Sequence, residues 1–182
     1  MEECRTDSPA ILIPDAGPLI TLAYAHALDV LIAPGWPVWI VDMAQHEVTR
    51  NHTPTSERIG RWIIDNANRI VRTALFDHYL SGTAGQGSMR KPSNLGELAA
   101  QEAMNSLATT SVATRVVFLF EDHRIARASF VLPAQCTKIS TRAYLQFLEQ
   151  TGRIASARTI ERAAIENGRQ FSALRYPPPS GQ

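Results

Sequence analysis

The stretch ILIPDAGPLITLA, residues 11–23, decides the fold of this chain. Its opening, Ile11 to Ile13, is short, apolar and without alternation, which is typical of a strand buried on both faces of a parallel sheet. Pro14 ends that run, and the apolar residues that follow recur at helical spacing. Asp15 therefore stands where a buried strand stops and a helix begins. It is either a helix cap or one part of a set of carboxylates.

Strand-like runs and helical patterns alternate along the rest of the chain. This alternation predicts βαβ units and an α/β fold, with three α/β/α layers around a central, mainly parallel sheet. The predicted strands are residues 10–14, 37–41, 69–73, 115–120 and 136–139. The predicted helices are residues 18–32, 42–50, 55–67, 95–108, 123–131, 141–150 and 155–167. The Gly-rich residues 81–94 predict a loop, and the Pro-rich residues 175–182 predict an extended or frayed tail.

Composition restricts the class of protein. The chain has 182 residues, of which 45 % are hydrophobic and 19 % charged, as in a globular domain. No apolar run approaches the roughly 20 residues that span a bilayer. The first residues carry no signal-peptide pattern, so we expect a cytoplasmic protein. Cys4 and Cys136 are isolated, which predicts neither a zinc motif nor a disulfide framework.

Charge is distributed unevenly along the chain. Residues 1–137 hold 11 Lys and Arg against 14 Asp and Glu, whereas residues 138–182 hold 7 against 3. The body is therefore acidic and the C-terminal part basic. This division is compatible with a polyanion at the tail and a metal in the body, or with an ordinary solvated helix face rich in Arg.

Acidic residues follow the predicted strands or begin the next helices. Each of them alone is explained by helix capping or by the helix dipole. Because parallel strands end at one edge of a sheet, we expect the set to converge there. Converging carboxylates raise each other's pKa unless a cation joins them, and Mg²⁺ and Mn²⁺ prefer such oxygen ligands. The residues concerned are Asp15, Asp42, Glu47, Glu97, Glu121 and Asp122.

The order and spacing of these motifs resemble the PIN domain, the nuclease fold of VapC-type toxins and related RNases. The matching segments are IPDAGPLITLA, VWIVDMAQHEVTR, NLGELAAQEAM, VVFLFEDHRIARASF and CTKISTRAYLQFLEQTGRI. The resemblance covers residues 10–155 and implies a metal-dependent endoribonuclease. The catalytic acids that it implies are Asp15, Glu47, Glu97 and Asp122. Of these, Asp15, Glu97 and Asp122 would bind one or two Mg²⁺ or Mn²⁺ ions, and accessory roles fall to Glu121, Arg127 and Thr141.

The resemblance also implies an RNA substrate, an antitoxin protein that covers the acidic site, and no membrane partner. It divides the chain into a leader (1–9), a nuclease domain (10–154) and a basic helix with a Pro-rich tail (155–182). The basic helix is open to three interpretations: it docks on the body, contacts a second copy in a homodimer, or guides RNA. Arg127 either contacts phosphate or forms a structural salt bridge.

Two other functions stay open at the level of sequence. One is a non-catalytic PIN-like module that binds RNA or a protein. The other is a metal-dependent nuclease for DNA or flap structures, since no residue clearly reads a 2′-hydroxyl.

Overall fold

The computed structural model describes residues 10–83, 94–110, 114–127 and 130–178. The strands of this part are β1 (Ala10–Pro14), β2 (Trp39–Val41), β3 (Arg69–Val71), β4 (Arg115–Phe120) and β5 (Cys136–Ser140). All five pair in parallel, with β4 between β1 and β5, and β2 beside β3. A bridge between Leu12 and Val38, with the Leu12 amide donating to the Pro37 carbonyl at 3.0 Å, joins the two groups in the order β3-β2-β1-β4-β5.

Helices follow the strands and cover both faces of the sheet. A short 3-10 helix, Leu28–Leu31, lies between the first helix and β2. None of the described helices is long and apolar enough to cross a membrane. The α-helices are α1 (Ala16–Tyr24), α2 (Asp42–Thr49), α3 (Pro54–Asp65), α4 (Ala74–Thr83), α5 (Leu95–Thr110), α6 (His123–Ala126), α7 (Thr141–Gln150) and α8 (Ala157–Glu166).

Strand β1 is buried along its whole length and supplies two hydrophobic cores. Leu12 packs on one face of the sheet with residues of α1, α3 and α7. Ile11 and Ile13 pack on the other face with residues of α2, α5 and α6. Alternate side chains of a strand point to opposite faces, so an unbroken apolar run is what a sheet between two helical layers requires. The predicted three-layer α/β/α fold with a parallel central sheet is confirmed.

The predicted helix over residues 18–32 is divided in the structure. Helix α1 ends at Tyr24, and the 3-10 helix begins at Leu28. Between them His26 has a φ of 54°, the left-handed region in which a regular helix cannot continue. Apolar spacing extends through the whole stretch, so the pattern alone did not show the break.

Two further boundaries differ from the prediction. Helix α6, expected over 123–131, ends at Ala126, and Arg127 is already extended at a ψ of 155°. The helix therefore ends before Phe130, which packs in the core and is only 6 % exposed. Helix α4 was not predicted, and its end includes residues 81–83 of the expected loop. The rest of that loop, 84–93, lies outside the described residues, as does Cys4.

The C-terminal segment packs on the body. Ala157 and Ala164 of α8 are 3 % and 0 % exposed, and Arg142 of α7 pairs with Glu161 of α8 at 3.2 Å. Beyond α8, Tyr176 exchanges hydrogen bonds with Ser140 at the end of β5, each 2.9 Å long. Residues 175–178 of the predicted tail are therefore not helical and are held against the sheet through Tyr176, and residues 179–182 lie outside the described residues.

Asp42, an acid of the second motif, has a structural role. It is 5 % exposed. One of its oxygens accepts from the amide of Thr73 at 2.6 Å, and the other accepts from the Thr73 hydroxyl at 2.9 Å and the Met43 amide at 2.7 Å. The carboxylate ties the start of α2 to the segment after β3, so its hydrogen-bonding capacity is used inside the fold.

Asp42→Ala is expected to lower the free energy of unfolding by about 2 to 4 kcal/mol, because it leaves the buried amide and hydroxyl of Thr73 without their acceptor. Urea denaturation measures the change. The matched control is Asp65→Ala, at an exposed position on α3, for which we expect a change within about 0.5 kcal/mol. Equal losses in the two variants would contradict the structural role.

Candidate active site

The site lies where the path of the chain changes direction in the sheet. β1 leads through α1 towards β2, whereas its neighbour β4 leads through α6 to β5 on the other side. Such a switch point leaves a crevice at the carboxyl ends of the strands, where open α/β sheets bind ligands. The amide of Asp15 donates to the carbonyl of Leu119 at 2.9 Å. The acids that follow β1 and β4 are therefore neighbours.

Asp15 occupies the N-cap position of α1, yet its side chain makes no capping hydrogen bond. Burial is the main cause that raises its pKa from 3.8 to about 7, with the amide of Ala16 opposing the rise. Repulsion from Glu47, Asp122 and Glu121 raises the pKa further. The capping interpretation is thus wrong for the carboxylate of Asp15, which lies in the field of three other acids.

Glu47 and the start of α5 meet across a glycine. A Cβ atom placed on Gly96 would lie 3.3 Å from Oε2 of Glu47 and 3.6 Å from its Oε1. Any side chain at this position would press against the carboxylate, so glycine permits the close approach. This contact brings Glu47 of α2 beside the helix turn that carries Glu97.

Asp122 and Glu97 share one cation, Arg124. Oδ1 of Asp122 accepts from the Arg124 amide at 2.8 Å, which caps α6. Oδ2 of Asp122 lies 3.1 Å from a terminal guanidinium nitrogen of the same arginine. Nε of Arg124 lies 3.9 Å from Oε1 of Glu97. Asp122 therefore caps a helix and also belongs to the acidic group, and sequence reasoning had no signal for Arg124 as the partner.

Glu121 has hydrogen-bond partners of its own within the fold. It is 9 % exposed, and its Oε2 accepts from the Thr21 hydroxyl at 2.8 Å and from Arg169 at 3.2 Å. A Cβ on Gly17 would lie 3.2 Å from the Cβ of Glu121, so the start of α1 packs directly on it. Arg169 follows α8, so the C-terminal segment contacts the acidic group through Glu121.

Arg127 and Thr141, the other predicted accessory residues, lie in different surroundings. Arg127 is exposed at the end of α6. Thr141 begins α7 and is 1 % exposed, and its hydroxyl has no hydrogen-bond partner among the described residues. The structure brings neither of them into contact with the carboxylates of Asp15, Glu47, Glu97 or Asp122.

The acids are close enough to affect each other but do not form a finished metal centre. Within the described ranges, no three His, Cys, Asp or Glu side chains are placed to hold one ion. The chemistry of the ligand atoms nevertheless suits a hard divalent cation, since all the candidate ligand atoms are carboxylate oxygens. Burial and repulsion from the other acids also disfavour the ionised form of Asp15, which a cation would stabilise. The positive charge of Arg124 lies between two of the candidate ligands.

In metal-free buffer, Asp15→Asn is expected to stabilise the protein at pH 8 and to have little effect near pH 4. The fold raises the pKa of Asp15 from 3.8 to about 7, so it favours the protonated carboxyl. The stability linked to this group is fully present below about pH 4 and is lost as the pH rises through 7. We expect a gain of about 1 to 3 kcal/mol at pH 8, measured by urea denaturation in EDTA.

The exposed Asp65 supplies the control for this pH series. Asp65→Asn should follow the wild-type curve at every pH, because the group is in solvent in both states. A constant difference between Asp15→Asn and wild type from pH 4 to pH 8 would show that the ionised carboxylate carries no cost in the fold.

Comparison with protein-family models and with curated proteins gives no match. Among solved structures, the PIN domain of T. brucei RRP44 is similar, with 15 % sequence identity, a TM-score of 0.49, and coverage of 80 % of this chain and 82 % of that one. At these values the likeness says nothing of activity or substrate. The strand order and the helices on both faces of the sheet give this chain a three-layer, parallel α/β fold.

Proposed function

We propose that this chain is a metal-dependent endoribonuclease of the PIN type, which hydrolyses RNA phosphodiesters with Mg²⁺ or Mn²⁺. The observation that carries the proposal is the carboxylate of Asp15, half-buried at the switch point without a capping hydrogen bond and within the field of Glu47 and Asp122. A fold that concentrates negative charge in this way gains from a cation at that place.

The four acids would have different roles in such a site. Asp15, Glu97 and Asp122 are the ligands that we propose for the cation, and Glu47, beside the helix turn of Glu97, completes the negative field. When bound, the ion would supply a Lewis acid that offsets charge at the phosphodiester and makes water a better nucleophile. The rigid ends of β1 and β4 position Asp15 and Asp122, which favours a constant geometry.

One observation favours the second candidate function, a non-catalytic module that binds RNA or protein. Arg124 already neutralises Asp122 and approaches Glu97, so part of the acidic group has an internal counter-ion. Ion-pair networks that stabilise a fold also perturb pKa values, so the pKa of Asp15 alone does not separate the two functions. Nuclease activity separates them directly.

The toxin role, the antitoxin partner, the homodimer and the cytoplasmic location belong to the same proposal. They are supported by the sequence alone. An antitoxin that covers the acidic edge with a basic side chain would use the place that Arg124 takes beside Asp122. The choice of RNA over DNA or flap structures has the same support and is decided by the cleavage assay.

Purified protein is expected to cleave labelled single-stranded RNA in Mn²⁺ or Mg²⁺ and not in EDTA. Asp15→Asn should lower the rate at least about 100-fold, because it removes a charged group from the reacting centre. Asp65→Asn, at the exposed end of α3, is the control and should keep the wild-type rate. Gel electrophoresis of the RNA, beside single-stranded and flap DNA, measures both rate and substrate.

Three results would change the conclusion. Equal cleavage by wild type and Asp15→Asn would indicate a contaminating nuclease. Cleavage of DNA or flaps in preference to RNA would replace the substrate. RNA binding without cleavage, in both proteins, would favour the non-catalytic module.

Arg124→Gln is expected to bind Mn²⁺ about 5- to 10-fold more tightly than wild type, because a positive charge next to Asp122 opposes a cation there. Isothermal titration calorimetry without nucleic acid measures this dissociation constant. Arg127→Gln is the matched control, since Arg127 lies only three positions away and pairs with no carboxylate among the described residues. An unchanged or weaker affinity in Arg124→Gln would show that Arg124 and the metal do not compete.

A further inference from the structure

A cleft opens beside the pair formed by Glu97 and Asp122. It has a volume of about 460 Å³ and lies between the start of α5 and the segment that follows α6. Glu97 forms the wall that the cleft shares with the acidic group. The other lining residues are two arginines (Arg124, Arg127), two amides (Asn94, Gln101) and two apolar side chains (Leu98, Phe130).

The two arginines differ in what they already bind. Arg124 is paired with Asp122 at 3.1 Å. Arg127 is exposed, and no carboxylate of the described residues pairs with its guanidinium. The cleft therefore presents, next to a group of negative charges, a positive charge that no carboxylate of the described residues pairs with. Of the two arginines, Arg127 is therefore the one available to an anion in the cleft.

The backbone around Arg127 is held firmly. Nζ of Lys138 donates to the carbonyl oxygens of Ile125 at 3.0 Å, Arg127 at 3.2 Å and Phe130 at 3.2 Å. All three ammonium donors are thus used inside the fold, and burial lowers the pKa of Lys138. Lys138 is a structural support of the cleft and not one of its anion contacts. Its hydrogen bonds fix the backbone that carries the Arg127 side chain.

The cleft also has an apolar side. Leu98, which lines the cleft, is 40 % exposed. Val131 does not line the cleft but is linked to it, since its carbonyl accepts from Gln101 at 3.2 Å, and it is 70 % exposed. Apolar side chains beside an arginine suit a nucleotide, which carries a charged phosphate, a sugar and a flat base. An inorganic anion would use only the arginine.

We propose that this cleft is the subsite for the nucleotide next to the cleaved phosphodiester of a single-stranded RNA, with Arg127 binding its phosphate. This inference rests on the proposed function, since the acidic group would take the cleaved phosphate itself. Carboxylates repel a phosphate backbone, so a strand that reaches Glu97 and Asp122 needs a cationic contact close by. The cleft supplies that contact on the far side of Glu97.

Fluorescence anisotropy with a labelled oligouridylate in EDTA tests the subsite without cleavage. Arg127→Gln is expected to weaken binding about 3- to 10-fold at low salt and to reduce the magnitude of the slope of log K against log salt by about 0.7, the value for one phosphate contact on a single strand. Arg127→Lys keeps the charge and should retain most of the slope. Arg61→Gln, at an exposed position of α3, is the control and should change the affinity less than about twofold.

The outcomes separate this inference from the proposed function. If wild type cleaves RNA in Mn²⁺ while Arg127→Gln keeps both the affinity and the slope, the subsite is wrong and the nuclease stands. If Arg127→Gln weakens binding as expected in a protein that cleaves nothing, the nuclease is wrong, and the cleft stands as an RNA-binding site with Arg127 as its phosphate contact but not as a subsite beside a cleaved bond. Equal losses in Arg127→Gln and Arg61→Gln would overturn the subsite, since the effect would then be one of total charge. So would a polyglutamate peptide that binds more tightly than the RNA with the same dependence on Arg127, because the cleft would then belong to an acidic protein partner.

Discussion

The parallel pairing of β1 with β4 is the constraint on which the rest of the site depends. The pairing continues past Pro14, where the amide of Asp15 donates to the carbonyl of Leu119 at 2.9 Å. Two strands more than 100 residues apart in the chain therefore deliver their following acids to one edge. Without this register Asp15 and Asp122 would each be an isolated residue at the start of a helix, and no common electrostatic field would exist.

Concentrated acids have a cost, and the fold offsets part of it with its own arginines. Arg124 lies against Asp122, and Arg169 reaches Glu121 from beyond α8. Asp15 has no such partner among the described residues, and burial and repulsion accordingly raise its pKa to about 7. The distribution of counter-ions thus divides the acids: Glu121 is tied into the packing of the C-terminal segment, whereas Asp15 stays the group with most to gain from an added cation.

Much of the fold was predictable because its signals are local. Ile11 to Ile13 and the run over 115–120 are short and almost wholly apolar, and a strand with helices on both faces requires this pattern. The break of α1 at His26 was not predictable, since the apolar spacing continues through it. Helix α4 was missed because nothing in its pattern separated it from the Gly-rich stretch that follows. Residues 84–93 of that stretch lie outside the described part of the chain.

By itself the sequence determined the parallel α/β layers and the positions of the acids Asp15, Glu47, Glu97 and Asp122 at strand and helix ends, since apolar runs and residue order are properties of the chain alone. Only the tertiary structure decided the role of each acid. Asp42 accepts hydrogen bonds from Thr73, and Glu121 accepts them from Thr21 and Arg169. The side chain of Asp15, at the N-cap position of α1, makes no capping hydrogen bond. These contacts join residues 31 to 100 positions apart in the chain. They form only when the chain folds, so the sequence alone does not show which acid makes which contact.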